Sequence, residues 1–209
     1  MKAMNSMNPM HSVNPMKPAT SPSIGPTPMK RRVALTALAA GSTALLATLA
    51  GCGTQKITDY ASEKPVLDLR RYFNGLLDAY GVFTDRSGKV VKRFTVVMNC
   101  TWQGDNGVLD EDFTYSDGTR QKRVWRLTRL ADGNYTGRAN DVVGIALGEA
   151  RGNAFRWAYT LSLPVDGKVY EVQFDDWMYL VDEKVMLNKA AMSKFGIRLG
   201  EVTLSFTKR

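Results

Sequence analysis

Histidine is almost absent from this 209-residue chain: the one copy is His11. Cysteine occurs twice, at Cys52 and Cys100. With no histidine beyond residue 11, Ser-His-Asp and Cys-His catalysis have no base there, and most zinc ligand sets lose a member. Acidic residues are missing from the first 51 positions, which hold Lys2, Lys17, Lys30, Arg31 and Arg32. Those five cations carry most of the formal net charge of +8: from Cys52 onward 23 Lys and Arg stand against 20 Asp and Glu, leaving +3. No Lys/Arg block of nucleic-acid type occurs in that part. Its densest basic spot is Arg120-Gln121-Lys122-Arg123. On an alternating strand, Arg120 and Lys122 share one face and Gln121 and Arg123 the other. Solvated strand ends are the expected reading, and no nucleic-acid partner is expected.

What the N-terminal part does contain is ordered by charge. Met29-Lys30-Arg31-Arg32 is a compact positive cluster, and Val33 to Ala50 carries no charge at all. A charged n-region, an apolar h-region and closing small residues are the layout of an export signal. An uncleaved transmembrane helix is the alternative, since ~18 apolar residues can span a bilayer. The run is mostly Ala, Thr, Gly and Ser, however, which makes a weak permanent anchor. Leu49-Ala50-Gly51-Cys52 resembles the bacterial lipobox. That resemblance implies a diacylated thiol at Cys52, cleavage before it and acylation of the new amine. Several acyl chains suit stable anchoring, at ~0.8 kcal/mol per buried methylene. Gly53 follows, where an aspartate would mark inner-membrane retention in enterobacteria. The resemblance therefore implies a lipid anchor in the cell outer membrane, with the domain on the periplasmic face.

The expected organisation follows. Residues 1–28, rich in Met, Asn, Pro and Ser without apolar periodicity, form a disordered extension upstream of a true start at Met29. Residues 29–51 form the signal peptide, 52–65 the lipidated cysteine and a polar tether, and 66–209 a β-barrel domain. In an oxidising periplasm an acylated Cys52 leaves Cys100 no intrachain partner. Cys100 is expected to face the core as a small hydrophobe.

Within the domain, Asp68 is an N-cap candidate before apolar positions 69, 72, 73 and 76, which predicts a short helix ending near Gly75. Turn signals then recur at Asp85-Arg86-Ser87-Gly88, Asp105-Asn106-Gly107, Ser116-Asp117-Gly118, Ala131-Asp132-Gly133-Asn134 and Val165-Asp166-Gly167. The stretches between them alternate. Phe94, Val96, Met98, Cys100 and Trp102 are apolar against Arg93, Thr95, Asn99 and Thr101. Phe155, Trp157, Tyr159, Leu161 and Leu163 repeat the pattern, as do Tyr170, Val172 and Phe174, and Glu201 to Phe206 alternates cleanly. Such strands joined by Asp-Gly-type turns predict an all-β antiparallel meander of roughly eight to ten strands. Closure would remove its two exposed edges. The expected architecture is an up-and-down, lipocalin-like β-barrel with a short N-terminal helix, with room for one small ligand; an open β-sandwich is the alternative. Polar outward positions (Arg93, Thr95, Asn99, Thr101) argue against a transmembrane barrel. Val185 to Phe195 fits a helix slightly better than a strand. Gly144, Gly148 and Gly152, four apart, are expected to mark bulges or close backbone approach.

Four blocks, Asp110-Glu111-Asp112-Phe113, Asn140-Asp141-Val142-Val143-Gly144, Phe174-Asp175-Asp176-Trp177-Met178 and Met192-Ser193-Lys194-Phe195-Gly196, resemble an uncharacterised family of proteobacterial lipoproteins, a domain of unknown function. The resemblance runs from about Tyr60 to the C-terminus and implies location and domain extent, with no activity.

Candidate site residues come from the strand pattern. Asp176 shares a face with Tyr170, Val172, Phe174 and Met178, where a carboxylate needs a partner; Arg156, Lys189 or Lys194 could supply it. It would anchor a ligand's polar group in an apolar cavity. A structural salt bridge, or a β-bulge that turns Asp176 outward and swings Trp177 inward, is the alternative. Glu111 is a parallel case beside Leu109, Phe113 and Tyr115. Asp110-Glu111-Asp112 lacks EF-hand spacing, so no metal is expected, and no cofactor or catalytic residue is assigned. The leading expectation is a non-enzymatic envelope lipoprotein whose barrel binds or carries a small apolar or amphipathic molecule, lined by Trp157, Tyr159 and Phe174, with Asp176 and, on a bulge, Trp177. A solidly packed module for other envelope proteins and a carboxylate-based hydrolase are the competing readings.

Overall fold

A computed structural model describes residues 54–165 and 167–209. The extension, the signal segment and Cys52 lie outside the described residues. A 3₁₀ turn at Ile57–Tyr60 and one helical turn, α1, at Leu69–Tyr72 precede ten strands. The strands are β1 Gly75–Asp85, β2 Val90–Gln103, β3 Asn106–Tyr115, β4 Arg120–Arg129 and β5 Tyr135–Arg138. They continue with β6 Ala146–Arg151, β7 Ala154–Val165, β8 Lys168–Leu180, β9 Val185–Lys194 and β10 Ile197–Lys208. Each pairs antiparallel with its sequence neighbours, and β1 also pairs with β10 from Leu77↔Lys208 to Asp85↔Gly200, so the sheet closes. The open sandwich does not form. Closure pairs β1 with β10 and so removes the two outer edges that an open meander would expose.

Four of the five expected turns separate strands, and the fifth, Val165-Asp166-Gly167, falls between β7 and β8 with Asp166 outside the described residues. Asp85, Asp117 and Asp132 accept the backbone N–H two residues on, at 2.8, 3.0 and 2.9 Å, and Asp182 does the same before β9 at 2.7 Å. An Asx turn of this kind replaces one backbone hydrogen bond lost when the chain reverses.

Val185–Lys194 is a strand, against the helical expectation. Met186, Asn188, Ala190 and Met192 are buried while Leu187 and Lys189 are exposed. Ladder pairing with β8 and β10 on both sides outweighs the modest helix preference of its Met, Leu and Ala residues.

One end of the barrel is plugged. Asp68 caps α1 by accepting from Arg70 N at 2.9 Å, and Leu69 and Phe73 are buried in the core. Trp102 Nε1 donates to the Phe73 carbonyl at 2.7 Å, and the Tyr72 hydroxyl lies 3.0 Å from the Lys184 carbonyl. Phe73 meets Phe206 edge to face at 5.5 Å. On the outer wall at this same end, Ile57 and Tyr60 pack over Trp177, Ala154 and Tyr179. Gly152 lets that segment approach: it has φ +53°, and a Cβ there would collide with the Tyr60 carbonyl. The other end carries the β1–β2, β3–β4, β7–β8 and β9–β10 turns and is open.

Candidate functional site

The interior holds a cavity of about 880 Å³, floored by Leu69 and Phe73 and reaching Lys92, Arg120 and Val165 at the open end. That lies inside the ~300–1,000 Å³ range of small-molecule sites. Barrel diameter grows with strand number, and an eight-strand barrel is just wide enough for its own side chains or one small ligand. Ten strands leave more room, provided bulky residues line the wall and do not cross it.

The aromatic residues are held against the wall by packing with one another and with glycines. Trp157 on β7 lies beside Gly137 of β5 and Gly148 of β6, where any Cβ would strike its indole. Gly148 thus marks a close approach, of a side chain. Trp125 on β4 meets Trp157 at 5.6 Å and Tyr159 at 5.4 Å, both edge to face. Tyr159 and Phe174 stack at 5.1 Å with their planes 7° apart.

Two polar groups interrupt this apolar lining. In the first, Glu111 on β3 faces Arg123 on β4 in direct register. Arg123 is bound to Asp141, Nη2 to Oδ2 at 2.6 Å and Nε to Oδ1 at 3.1 Å. Glu111 is 8 % exposed, and among the described residues no hydrogen bond or ion pair reaches its carboxyl. Burial pushes its pKa up to about 7, against the pull of the Arg123 charge. Burial also works against the charge on Arg123, but the Asp141 hydrogen bond and the Glu111 charge outweigh it and raise its pKa.

In the second group, Asp176 on β8 accepts from Tyr159 Oη at 3.1 Å and from the amide of Asn188 on β9. Asn188 also donates to the Trp177 carbonyl at 3.1 Å. Burial pushes the Asp176 pKa up to about 6, and the bonds from Asn188 and Tyr159 hold it from rising further. The cations expected to pair Asp176 do other work. Arg156 binds Asp175 on the outer face at 2.7 Å, Lys189 binds Glu201 at 3.3 Å, and Lys194 lies over the Tyr170 ring. Two neutral donors, Asn188 and Tyr159, take the place of a cation and partly offset the cost of burying the carboxyl.

Trp157, Tyr159, Phe174 and Asp176 therefore converge on the cavity. Trp177 does not. The β8 register runs unbroken through Asp175, Asp176 and Trp177 on both sides, so no bulge swings the indole inward, and it packs on the outer wall. Arg123, Trp125 and Asn188 are cavity residues beyond those named from the sequence. The alternation Arg123, Trp125, Leu127 carried the signal for the first two; Asn188 was obscured by the helical reading of its segment. Cys100 is fully buried, with its thiol pushed up to about 12 by burial. Among the described residues no group of His, Cys, Asp or Glu has the arrangement of a metal site.

Fold and site together define a closed β-barrel with a single-mouthed, mainly apolar interior and two buried carboxyls. The chain belongs to the DUF3833 family, described as a protein of unknown function, whose model matches residues 46–208. No curated protein matches the chain.

Proposed function

We propose that this chain is a lipid-anchored envelope protein whose lipocalin-like barrel binds or carries one small apolar or amphipathic molecule. The cavity carries this reading: its volume, aromatic lining and two separate polar groups are how ligand sites are commonly furnished. Asp176, with Tyr159 and Asn188, and Glu111 are the contacts for a ligand's polar group. The test is saturable binding of an environment-sensitive apolar dye by the Cys52→Ala chain. Trp157→Ala and Asp176→Asn should weaken binding beyond any loss of folded protein. Absence of saturable binding would leave an interaction module for other envelope proteins as the better account.

Hydrolysis by the two carboxyls is the weaker reading. Acid/base pairs need pKa values pushed apart, whereas burial moves Glu111 and Asp176 in the same direction.

The anchor rests on Met29-Lys30-Arg31-Arg32, the uncharged run and Leu49-Ala50-Gly51-Cys52. Labelled palmitate should enter the wild type and not Cys52→Ala, and the variant should remain unprocessed or soluble. Gly53 is the ground for placing the anchor in the outer membrane, facing the periplasm. Gly53→Asp should shift protein to the inner membrane of an enterobacterial host.

A further inference from the structure

The two ends of the barrel differ in what their turns expose. At the plugged end the turns carry Asp105, Asp132, Asp182 and Glu183 with Lys184, and Arg70 and Arg129 are tied to Asp105 and Arg71 to Glu183. At the open end the β7–β8 and β9–β10 hairpins stand side by side, linked by Lys194 Nζ, 4.8 Å from the Tyr170 ring centre and 5.2 Å from that of Phe195. Several of their described residues are apolar and unburied: Phe195 is 88 % exposed, Val169 67 % and Ile197 63 %, with Val165 and Leu199 also exposed. Phe195 has φ +52°, the one positive value among the described non-glycine residues. A bulky residue is uncommon there and its backbone is strained. Packing does not explain it, because the ring touches little of its own barrel. Lys168 and Lys194 flank these side chains, Arg198 beside them is paired with Glu201, and Arg86, Lys89 and Arg120 share the other turns of the same rim with Asp85 and Asp117.

Exposed apolar tips set among cations match a membrane interface. Apolar side chains gain by entering the headgroup and acyl boundary, and Lys and Arg are drawn to anionic headgroups at about 1 kcal/mol each. We propose that the open rim of this barrel docks onto an anionic lipid surface, placing Phe195, Ile197 and Val169 among the headgroups with Lys168 and Lys194 around them. The cavity mouth then faces the lipid, at the end opposite to where Thr54–Tyr60 lie. This surface stands on exposure and charge alone and holds whether or not the cavity takes a ligand.

The test places a solvent-sensitive fluorophore on the Cys52→Ala chain at Val169→Cys and, as a control at the plugged end, at Asp132→Cys; buried Cys100 is out of the reagent's reach. Vesicles of phosphatidylcholine and phosphatidylglycerol in equal parts should blue-shift the rim probe and leave the control unchanged. Vesicles of phosphatidylcholine alone should shift it far less. Losing two lysines by Lys168→Gln with Lys194→Gln should weaken the rim response about thirtyfold, and Phe195→Ser with Ile197→Ser should also reduce it. Comparing the two ends separates rim docking from attachment through the N-terminal segment. A silent rim probe, equal responses at both ends, or equal responses to both vesicle types would overturn the proposal. None of these outcomes bears on dye binding, so the cavity reading is tested separately.

Discussion

Arg123 on β4 holds Asp141, in the segment between β5 and β6, through a 2.6 Å ion pair, and the pair spans a gap in the barrel wall. β4 pairs with β5 only from Arg126 to Arg129, so Arg120–Trp125 has no strand beside it on that side. The intervening segment covers the opening and is tied to β7: Ser162 N donates to the Asp141 carbonyl at 2.8 Å, and Val143 N to the Thr160 carbonyl at 2.9 Å. Asp141→Asn should therefore loosen a section of wall as well as remove a charge. Both side chains are less than a quarter exposed, so the expected loss is about 2 kcal/mol by urea unfolding. Hydrogen exchange of the Val143 and Ser162 amides should quicken. Unchanged exchange at those amides would show that the pair does not latch the segment.

Glu111 should make the protein less stable as pH rises. Its folded-state pKa of about 7 lies above the ordinary 4.5, so the folded chain binds the proton more tightly than the unfolded chain. Stability falls between those values and levels off above them. Asp176 adds the same sign between 3.8 and about 6. Burial is the main cause of the Glu111 value, which the Arg123 charge lowers and Asp141, Asp176 and Asp110 raise further. Glu111→Gln should match the wild type near pH 4 and exceed it by about 3 kcal/mol near pH 8. Stability curves of the two proteins that stay parallel across this range would mean that Glu111 ionises freely.

Tyr159→Phe removes one of the two side-chain donors that hold the Asp176 pKa down. The carboxyl should then titrate above about 6, followed by carbon NMR of the labelled side chain. A stability loss of about 1 kcal/mol accompanies the missing hydrogen bond. An unmoved titration would place the Tyr159 hydroxyl elsewhere in solution.

Gly148→Ala puts a methyl group into the Trp157 ring, which has no free space on that side. Overpacking of this kind costs about 1–3 kcal/mol, and the near-ultraviolet circular dichroism should change as the indole moves. At the neighbouring outward position, Leu147→Ala should change stability by no more than about 0.5 kcal/mol. Equal effects at 147 and 148 would refute the close approach.

Much of the site was legible one strand at a time. Period-two alternation put Trp157, Tyr159, Phe174 and Asp176 on inward faces, and all four line the cavity. Asp110-Glu111-Asp112 gave Glu111 the same face as Leu109 and Phe113, and it too faces the interior. Where alternation was ambiguous, the reading went wrong: Met, Leu and Ala are shared by helices and strands, so β9 looked helical and Asn188 went unassigned. Arg123 belongs to the basic stretch Arg120-Gln121-Lys122-Arg123, which reads as solvated strand ends, yet it is largely buried in the barrel. Its burial depends on Asp141, 18 residues away, which no local pattern can foresee.

The sequence by itself determined the all-β class, the turn positions and the inward faces, because these follow from local chemistry: Asx turns, side-chain period and polarity along single strands. The tertiary structure alone decided closure, since pairing β1 with β10 joins residues more than a hundred positions apart. It also decided the partners of the buried carboxyls and the outward placement of Trp177, which depend on the register of neighbouring strands. The hollow interior belongs to the same level. Whether inward side chains meet across a barrel is set by its diameter and by glycines such as Gly148 that let an indole lie flat against the wall, and both exist only once the strands are assembled.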